Sequence, residues 1–568
     1  MAANPSPYDT YTSPLATRNA SEEMLRLWSA RHKFNTWRRI WLAVAEAQHE
    51  MGLPVTKEQV EELRAVVNRP GGITDDEIRL AENYERELRH DVMAHVHALG
   101  DSCPKAKGII HLGMTSQDVV CNADLAILER AQALIRDKLA CVAVAFAKLA
   151  SQWLPTPCLA FTHYQPAQPM TVGRRFAQWS SELGLCENRL AGTLMQSWNR
   201  RRGIRGATGT QASYLTLFGG HSSSVDKLES WIVHGLTENF SSTDALSVAA
   251  SAKALSHDIA SRQFWGRVWE AEGDSEAVKE NGVELARLQA LNPEQVEHYF
   301  ANKIRQAHTY PLGSQTYPRV IDTFILADLA SVGAVLHKIA TDIRLLCNRK
   351  EIDEPFEDKQ IGSSAMPYKR NPMRCERICG LSRFVMNLVG NAYDTAATQW
   401  LERTLDDSSN RRLSLPEAFL ALDGALDLMH NVASGLIVHE AMVKKNLMAE
   451  LPFMATENIL MECVKLGGDR QHYHELIRQH AQAAGLRVKQ EGLDNDLLDR
   501  LKNDKNFWST KRGGPLSAEL NWDGVMDPMK YVGRSVEQTE RFIKEVVEPL
   551  REQYKDAIAK LGTSGPKV

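Results

Sequence analysis

The sequence predicts an all-α fold with a long central helical bundle. Four segments have helical periodicity with few helix-breaking residues, and each is near or above 25 residues long. At 1.5 Å per residue, each helix would reach roughly 40 Å. Because these segments are apolar on more than one side, they suit a bundle core, and we expect the bundle also to join subunits. They begin at Asn122, Met170, Arg319 and Asn371.

The N-terminal segment predicts an amphipathic helix that starts at Ser21 and is closed by Gly52. Ser21 is a helix-capping residue, and the two acids after it favour the positive end of the helix dipole. At helical spacing, one apolar face carries Trp37, Ile40, Trp41 and Val44. This helix belongs to a predicted N-terminal helical domain, residues 1–115.

Changes in composition divide the rest of the chain. Residues 116–438 form the predicted central bundle domain, and the more polar helices of residues 439–568 form a C-terminal helical domain. Residues 221–312 differ, because they include the acidic, breaker-rich stretch "EAEGDSEAVKENG" and short segments with turn signals. We interpret this region as an insertion into the central domain. A surface role is its simplest interpretation, and gating of a site or binding of a partner are the alternatives.

Bulk composition favours a cytoplasmic protein. A net charge of −4 over 568 residues argues against general nucleic-acid binding, which needs a clustered basic surface. The nine cysteines are scattered and form no CxxC pair, so we expect reduced thiols and no zinc site. The first residues lack the apolar core of a secretory signal, and no run approaches the length of a membrane span.

Three histidines in "RHDVMAHVH" invite comparison with a metal site. His95 and His97 would point to different faces of a helix, and the HExxH spacing is absent. We therefore interpret His95 and His97 as ordinary partly buried or surface residues. His90 differs, because Asp91 beside it could set its tautomer.

His163 lies in "FTHYQPAQPM", where Pro166 and Pro169 forbid a continuing helix. A histidine in such a loop is a candidate general acid or base, and a merely solvated side chain is the alternative.

Two arginine-rich segments leave their roles open. "RRGIRGATGTQASY" fits neither a phosphate loop nor a dinucleotide loop, so a tight loop near a ligand and a plain helix connector are equally compatible with it. "ERTLDDSSNRR" is either a solvated helix start with internal ion pairs or an arginine fork for phosphate or carboxylate.

The loop "GSSAMPYKRNP", residues 362–372, interrupts the predicted helices. Its glycine and small side chains let backbone N–H groups approach an anion, and Lys369 adds a positive charge. In that field a serine hydroxyl could act as a base. Glu376, at the start of the next helix, could orient a histidine from elsewhere. A flexible surface loop is the alternative.

Together these motifs resemble the fumarase/aspartase superfamily. The loop matches the pattern GSSxMPxKxNP without a gap, and its form here is similar to that of the adenylosuccinate lyases. Further segments carry the same resemblance in order along the chain, including "GIIHLGMTSQD", "QTYPR", "TDIRLL" and "ELPFMATENI". The resemblance covers nearly the whole chain outside residues 221–312.

The resemblance implies a three-domain fumarase/aspartase-type fold and a homotetramer whose active sites are assembled from three subunits. It also implies β-elimination of fumarate in purine nucleotide and AMP biosynthesis. Adenylosuccinate would give AMP, and the succinylated aminoimidazole carboxamide ribotide (SAICAR) would give its carboxamide (AICAR). No metal or organic cofactor is expected, because protonation activates the leaving nitrogen.

The resemblance also assigns roles by motif position. Ser363 is expected to be the general base and His163 the general acid, with Glu376 holding the imidazole. Lys369 would meet the developing negative charge, and His90 would orient the substrate near its phosphate or carboxylate. The expected substrate-binding residues are Arg18, Asn19, Arg89, Asp91, Thr115, Ser116, Thr162, Gln315, Asn371, Arg377, Arg403, Ser408 and Arg412. At Asn19 the family often has a tyrosine, so a stacking or ribose contact is not expected there.

Two alternatives remain at this level. One is another fumarate-releasing lyase of the superfamily, such as argininosuccinate lyase. The other is a helical structural relative without activity. Four arginines suited to phosphate favour the nucleotide substrate, and the four catalytic side chains favour an enzyme.

Overall fold

The computed structural model describes residues 9–195, 200–237, 309–357, 359–507 and 520–561, with isolated positions between 279 and 291. Within these ranges helices dominate, and the strands form two short antiparallel ribbons. The predicted all-α class is confirmed.

The first half of the chain is built from nine helices and one ribbon within the described ranges. The elements are α1 (Glu22–Leu27), α2 (Ala30–Glu50), α3 (Lys57–Val67), α4 (Asp75–Leu88), α5 (Asp91–Ser102), α6 (Ser116–Gln152), β1 (Pro157–Thr162), β2 (Gln165–Thr171), α7 (Val172–Met195), α8 (Ala212–Leu217) and α9 (Ser222–Thr237).

The described part of the second half continues with long helices and ends in shorter ones. The elements are α10 (Val320–Asn348), β3 (Ile352–Asp353), α11 (Met373–Ala397), α12 (Asp406–Gly435), β4 (Ile437–Val438), α13 (Glu440–Met454), α14 (Thr456–Lys465), α15 (Arg470–Leu486), α16 (Leu497–Asn503), α17 (Trp522–Val525), α18 (Ser535–Phe542), α19 (Glu548–Gln553) and α20 (Lys555–Leu561).

The four predicted long helices are confirmed as α6, α7, α10 and α11, with 37, 24, 29 and 25 residues. Their observed starts lie within two residues of prediction except for α6, which begins six residues earlier, at Ser116. The predicted N-terminal helix is divided in two. Ser29 forms a second N-cap by accepting the N–H of His32 at 3.2 Å, so α1 ends and α2 begins there.

The chain divides into two compact units. The first comprises residues 1–136, 189–330 and 385–421, and the second comprises residues 137–188, 331–384 and 422–568. We call them unit 1 and unit 2. The predicted division at residues 115 and 438 stays a prediction.

Each unit has its own apolar core. In unit 1, Trp37 and Trp41 of α2 are buried with their ring centroids 6.4 Å apart, so the predicted apolar face of this helix is confirmed. In unit 2, Tyr473 of α15 packs edge-on, at 5.3 Å between ring centroids, against Phe507 in the turn after α16.

The first part of the predicted insertion belongs to the core of unit 1. Helix α9 packs against α2, and its buried face carries Val225, Leu228 and Ile232. Apart from the isolated positions, residues 238–308 lie outside the described residues. The insertion prediction for that segment therefore has no structural description.

Helix α10 passes the length and composition test for a membrane span, so the expectation that no run approaches that length was wrong. In the structure, 56% of its most apolar window is buried. The core helix of a soluble protein passes the same test, because a bundle core makes a helix apolar on several sides.

His95 and His97 lie on different faces of α5, as predicted. The His95 ring is buried 3.7 Å from the Phe34 ring centroid, and the His97 ring packs at 5.3 Å on Tyr84. In the described ranges, no group of three or more His, Cys, Asp or Glu side chains could hold a metal ion. Burial, aided by the nearby charges of Arg38 and Lys33, lowers the pKa of His95 to about 4.

The buried His95 predicts a pH dependence of stability. The unfolded chain binds a proton at His95 below about pH 6.5, whereas the folded chain resists it until about pH 4. Stability from this group is therefore complete above about pH 6.5 and is lost as the pH falls toward 4. Between pH 7 and pH 5, the free energy of unfolding should therefore fall by roughly 1–2 kcal/mol less in His95→Phe than in the unmodified protein. The urea midpoints at both pH values measure this.

His97→Phe is the matched control, and it should keep the pH dependence of the unmodified protein. Equal pH dependence of the urea midpoint in the two variants would contradict the assignment to His95.

Candidate active site

A buried ion pair organises the start of α6 in unit 1. Asp118 and Arg202 are both fully buried, and the Arg202 guanidinium donates to the Asp118 carboxylate. The same carboxylate accepts the N–H groups of Arg205 at 2.8 Å and Gly206 at 3.1 Å. Arg202 also donates to the carbonyl oxygen of Ser314 at 2.8 Å. Three chain segments that are distant in sequence are therefore held together.

This ion pair positions three predicted substrate-binding residues. The Asp118 carboxylate accepts the N–H of Thr115 at 2.8 Å, and Ser116 is the first residue of α6. The Gln315 amide donates to the Thr115 hydroxyl at 3.1 Å and accepts the N–H of Thr208 at 2.7 Å. The hydroxyl groups of Thr115 and Ser116 and the Gln315 amide therefore lie together at the start of α6.

The first part of the Gly-rich segment, residues 201–206, is buried, whereas most of residues 207–213 are exposed. Besides Arg202, Arg201 donates to Glu129 at 2.6 Å, and Arg205 donates to Glu229 at 3.0 Å. A Cβ at residue 203 would collide with the Glu229 carboxylate, which explains the glycine there. These arginines are used in internal ion pairs.

The arginines of "ERTLDDSSNRR" all form ion pairs within the chain, but they differ in exposure. Arg411 is buried and donates to Asp322 at 2.6 Å, to Asp124 at 3.1 Å and to the Tyr317 hydroxyl. Arg412, whose side chain is 56% exposed, instead donates to Asp91 at 2.6 Å. Arg411 is therefore a structural residue.

The remaining members of this segment lie beside the same helix start. Arg403 donates to Asp407 at 3.3 Å, and Asp407 also accepts from Arg319 at 2.8 Å. The N–H of Ser408 donates to the Leu405 carbonyl oxygen at 3.1 Å in the first turn of α12. Arg403 and Ser408 are thus held at one end of this helix.

His90 and its neighbours form the junction between α4 and α5. Arg89 ends α4 in a left-handed conformation, with φ of 55°. His90 Nδ1 accepts the N–H of Met93 at 3.3 Å, so in the neutral ring the proton is on Nε2. Burial alone would raise the pKa of the Asp91 carboxyl, but Arg412 and the N–H of Val92 hold it below its usual value.

His111 is a further histidine beside His90 and was not among the predicted site residues. Its Nδ1 accepts the indole N–H of Trp41 at 3.1 Å. Burial, with a smaller contribution from His90, lowers the pKa of His111 to about 4, so the ring is neutral at pH 7. Its sequence signal is weak, since only its place in "GIIHLGMTSQD" marks it and its partner lies 70 residues away.

Arg18 and Asn19 lie in a short helical turn, Leu15–Asn19, at the start of unit 1. The Asn19 amide donates to the Pro14 carbonyl oxygen at 3.0 Å. In place of the frequent tyrosine, Asn19 therefore stabilises its own turn.

In unit 2, His163 lies at the tip of the β1–β2 hairpin. Thr162 pairs with Gln165, which leaves a two-residue loop of His163 and Tyr164 with φ of 53° and 57°. Positive φ at both positions is typical of a type I′ hairpin turn, which usually contains Asn or Gly. The predicted end of helix is confirmed, but the strands were not predicted. The hairpin exposes the His163 imidazole.

The loop at residues 362–372 folds back on itself in unit 2. The Ser363 hydroxyl accepts the N–H groups of Ala365 at 3.4 Å and Met366 at 3.2 Å. The Asn371 amide donates to the Gly362 carbonyl oxygen at 2.9 Å, and a Cβ at residue 362 would collide with the Lys369 carbonyl. Donors aimed at the hydroxyl oxygen stabilise negative charge on it.

Helix α11 starts directly after this loop and carries Glu376 in its first turn. The Glu376 carboxylate is half exposed and lies 3.9 Å from the Arg344 guanidinium. Arg377 follows on the same turn. The predicted residues thus form two sets, one in each unit. Unit 2 holds Thr162, His163, Ser363, Lys369, Asn371, Glu376 and Arg377, and unit 1 holds the others.

The helical fold and the loop at residues 362–372 are those of a lyase, and a comparison with family models agrees. A family model described as "Lyase" matches residues 16–231 and 294–387. Two solved structures share the fold. The 3-carboxy-cis,cis-muconate lactonizing enzyme from Pseudomonas putida has a TM-score of 0.67, 20% identity and coverage of 94% of this chain and 99% of that one. A fumarate lyase from Mesorhizobium sp. BNC1 has a TM-score of 0.64 and 19% identity, and the match covers 94% of this chain and 99% of that enzyme.

Within that class, the chain belongs to the adenylosuccinate lyase family. A family model described as "Adenylosuccinate lyase C-terminus" matches residues 452–542. The adenylosuccinate lyase of Schizosaccharomyces pombe is 42% identical, with 97% of this chain and 98% of the relative covered. The adenylosuccinate lyase of Saccharomyces cerevisiae is 41% identical, with 98% of this chain and 99% of the relative covered. The motif resemblance and the expectation of a lyase are confirmed.

The structure predicts that the same substitution at the neighbouring residues Arg411 and Arg412 destabilises the protein to very different extents. Arg411→Met leaves the buried Asp322 carboxylate and the partly exposed Asp124 carboxylate without their arginine partner, so we expect a loss of about 3–5 kcal/mol of stability. Arg412→Met breaks one exposed pair and should cost less than about 1 kcal/mol. Denaturant unfolding of both variants measures this, and equal losses would contradict the structural role of Arg411.

Proposed function

We propose that this chain releases fumarate by β-elimination from adenylosuccinate, which gives AMP, and from SAICAR, which gives AICAR. The observation that supports this most strongly is the Ser363 loop, with two N–H groups directed at the hydroxyl and Lys369 following, in a chain related over almost its full length to adenylosuccinate lyases. The residue roles follow from the chemistry of that elimination.

The difficult step is removal of a proton from the succinyl carbon beside a carboxylate, which is a very weak acid. Ser363 takes this proton, and the backbone donors stabilise its alkoxide form beforehand. The developing aci-carboxylate is a dianion, and Lys369 supplies the opposing charge. The electron pair of the broken C–H bond forms the double bond of fumarate.

The carbon–nitrogen bond then breaks, and the departing nitrogen must be protonated. His163 supplies that proton from the hairpin tip, and Glu376 orients its imidazole. Protonation activates the leaving group, so the proposed mechanism requires neither a metal nor an organic cofactor. His90, with Nε2 carrying its proton, donates to a substrate carboxylate or phosphate.

Phosphate recognition separates this proposal from the alternative of an argininosuccinate-type lyase. A substrate without phosphate would not use the charges of four arginines, which are Arg18, Arg377, Arg403 and Arg412. Thr115, Ser116 and Gln315 supply neutral hydrogen-bonding groups for the rest of the nucleotide. An inactive structural relative would need none of the four catalytic side chains.

The assembly that we propose is a cytoplasmic homotetramer whose sites combine residues of different subunits. Exposed apolar side chains support an oligomer, since a monomer rarely exposes many such groups together. In unit 1 they include Tyr393, Trp400, Leu401, Leu405 and Leu413. The nine free cysteines fit a reducing compartment.

Fumarate release tests the activity directly. When purified protein is mixed with adenylosuccinate or with SAICAR, fumarate should form, and its absorbance measures the amount. Argininosuccinate and malate serve as comparison substrates. Fumarate formed only from argininosuccinate or malate would overturn the proposal.

The two serines of the loop provide a matched pair for the base. Ser363→Ala should lower kcat on adenylosuccinate by about 10²–10⁴-fold, the usual contribution of a general base. Ser364→Ala should retain most of the turnover, because the backbone donors at this turn are directed at Ser363. Turnover that survives in Ser363→Ala and is lost in Ser364→Ala would move the role to the second serine.

Mixed tetramers test whether the sites are shared. Ser363→Ala and His163→Gln should each be inactive alone, and dissociating and reassembling them together should restore part of the activity. The restored fraction is measured as fumarate release against unmixed controls. If no activity returns although mixed tetramers form, Ser363 and His163 act within one chain.

A further inference from the structure

A cavity of about 310 Å³ in unit 1 lies between α2, α6 and α12. Its apolar lining includes Trp28, Ile127 and Pro416. Its polar lining consists of Lys33, Asp124, Ser408, Arg411 and Arg412. The volume is at the lower end of the range for small-molecule sites.

The cations of this cavity differ in how their charges are balanced. Arg411 is neutralised by the partly exposed Asp124 at 3.1 Å and by the buried Asp322 at 2.6 Å. Arg412 is paired with Asp91 at 2.6 Å. In the described part of the chain, no carboxylate lies within ion-pair distance of the Lys33 ammonium. Among the three cations of this cavity, Lys33 is therefore the one without an ion pair to a carboxylate of the described residues.

The surroundings of Lys33 partly remove its ammonium group from water, which destabilises the charged form. The ammonium lies 4.8 Å from the Trp37 ring centroid and 5.3 Å from that of Phe34, and the side chain is partly buried. Burial lowers the pKa of Lys33, and the more distant carboxylates of Asp124 and Asp91 offset this only in part. A partly desolvated cation without an anion beside it favours an anionic ligand.

We propose that Lys33 is a further substrate-binding residue, and that its ammonium receives the phosphate monoester of the nucleotide together with the Ser408 hydroxyl and the Arg412 guanidinium. All three side chains line the same cavity. A phosphate dianion offers enough acceptor oxygens for an ammonium, a hydroxyl and a guanidinium at once. The inference rests on the proposed function, because it assumes a nucleotide substrate.

Selective loss of phosphate recognition is the expected result of neutralising Lys33. Lys33→Met keeps the packing on Phe34 and Trp37 but removes the charge. Its dissociation constant for AMP should rise about 10- to 100-fold, as expected for a hydrogen bond to a charged group, while that for adenosine should stay unchanged. Lys33→Arg should retain most of the affinity for AMP. Calorimetric titration with AMP and with adenosine measures both.

Two controls separate this role from a structural one. Lys57→Met removes an exposed lysine of α3 in the same unit and should change neither constant. Lys33→Gln is used if Lys33→Met does not fold, and it should show the same selective loss. An equal loss for AMP and adenosine, or no loss for AMP, would overturn the inference.

Catalysis gives an independent comparison. For Lys33→Met, KM for adenylosuccinate should rise by a similar factor, with kcat changed much less. If the unmodified protein binds AMP through Lys33 but releases no fumarate, the proposed function fails and the phosphate contact stands. If fumarate is released and Lys33→Met is indistinguishable in KM and in AMP binding, the inference alone fails.

Discussion

The buried ion pair between Asp118 and Arg202 is the constraint on which the arrangement in unit 1 depends. Burying two charges costs free energy, and only good geometry with further hydrogen bonds offsets that cost. Here the carboxylate accepts three backbone N–H groups besides the guanidinium, and the guanidinium also donates to Ser314. Thr115, Ser116 and Gln315 take their places from this network, because each lies within one residue or one hydrogen bond of it.

The proposed catalytic groups of unit 2 lie where regular structure stops. His163 occupies a hairpin turn with positive φ, and Ser363 lies in a loop whose backbone approaches too closely for a Cβ at residue 362. Such conformations cost free energy and persist where the surrounding structure imposes them. The hairpin turn exposes the His163 side chain, and the loop directs two backbone donors at Ser363 that a helix would use internally.

The all-α class and the long helices could be predicted because periodicity and length are local properties, and α7, α10 and α11 start where expected. The loop at residues 362–372 was found because its composition contrasts with the helices around it. The β1–β2 hairpin was missed because Pro166 and Pro169 are unusual in strands. Lys33, His111 and the Asp118–Arg202 pair were missed because their significance depends on partners distant in sequence. Arg411 and Arg412 are adjacent, and only the structure separates their roles.

The central claim is that Ser363 removes the proton from the succinyl group while His163 of another subunit protonates the leaving nitrogen. A crystal structure of the assembled Ser363→Ala variant with adenylosuccinate bound tests it most directly. We predict that the residue 363 Cβ lies about 3–4 Å from the succinyl carbon that loses its proton, with the His163 imidazole of a different chain beside the departing nitrogen. A loop directed away from that carbon, with another side chain in contact with it, would contradict the account.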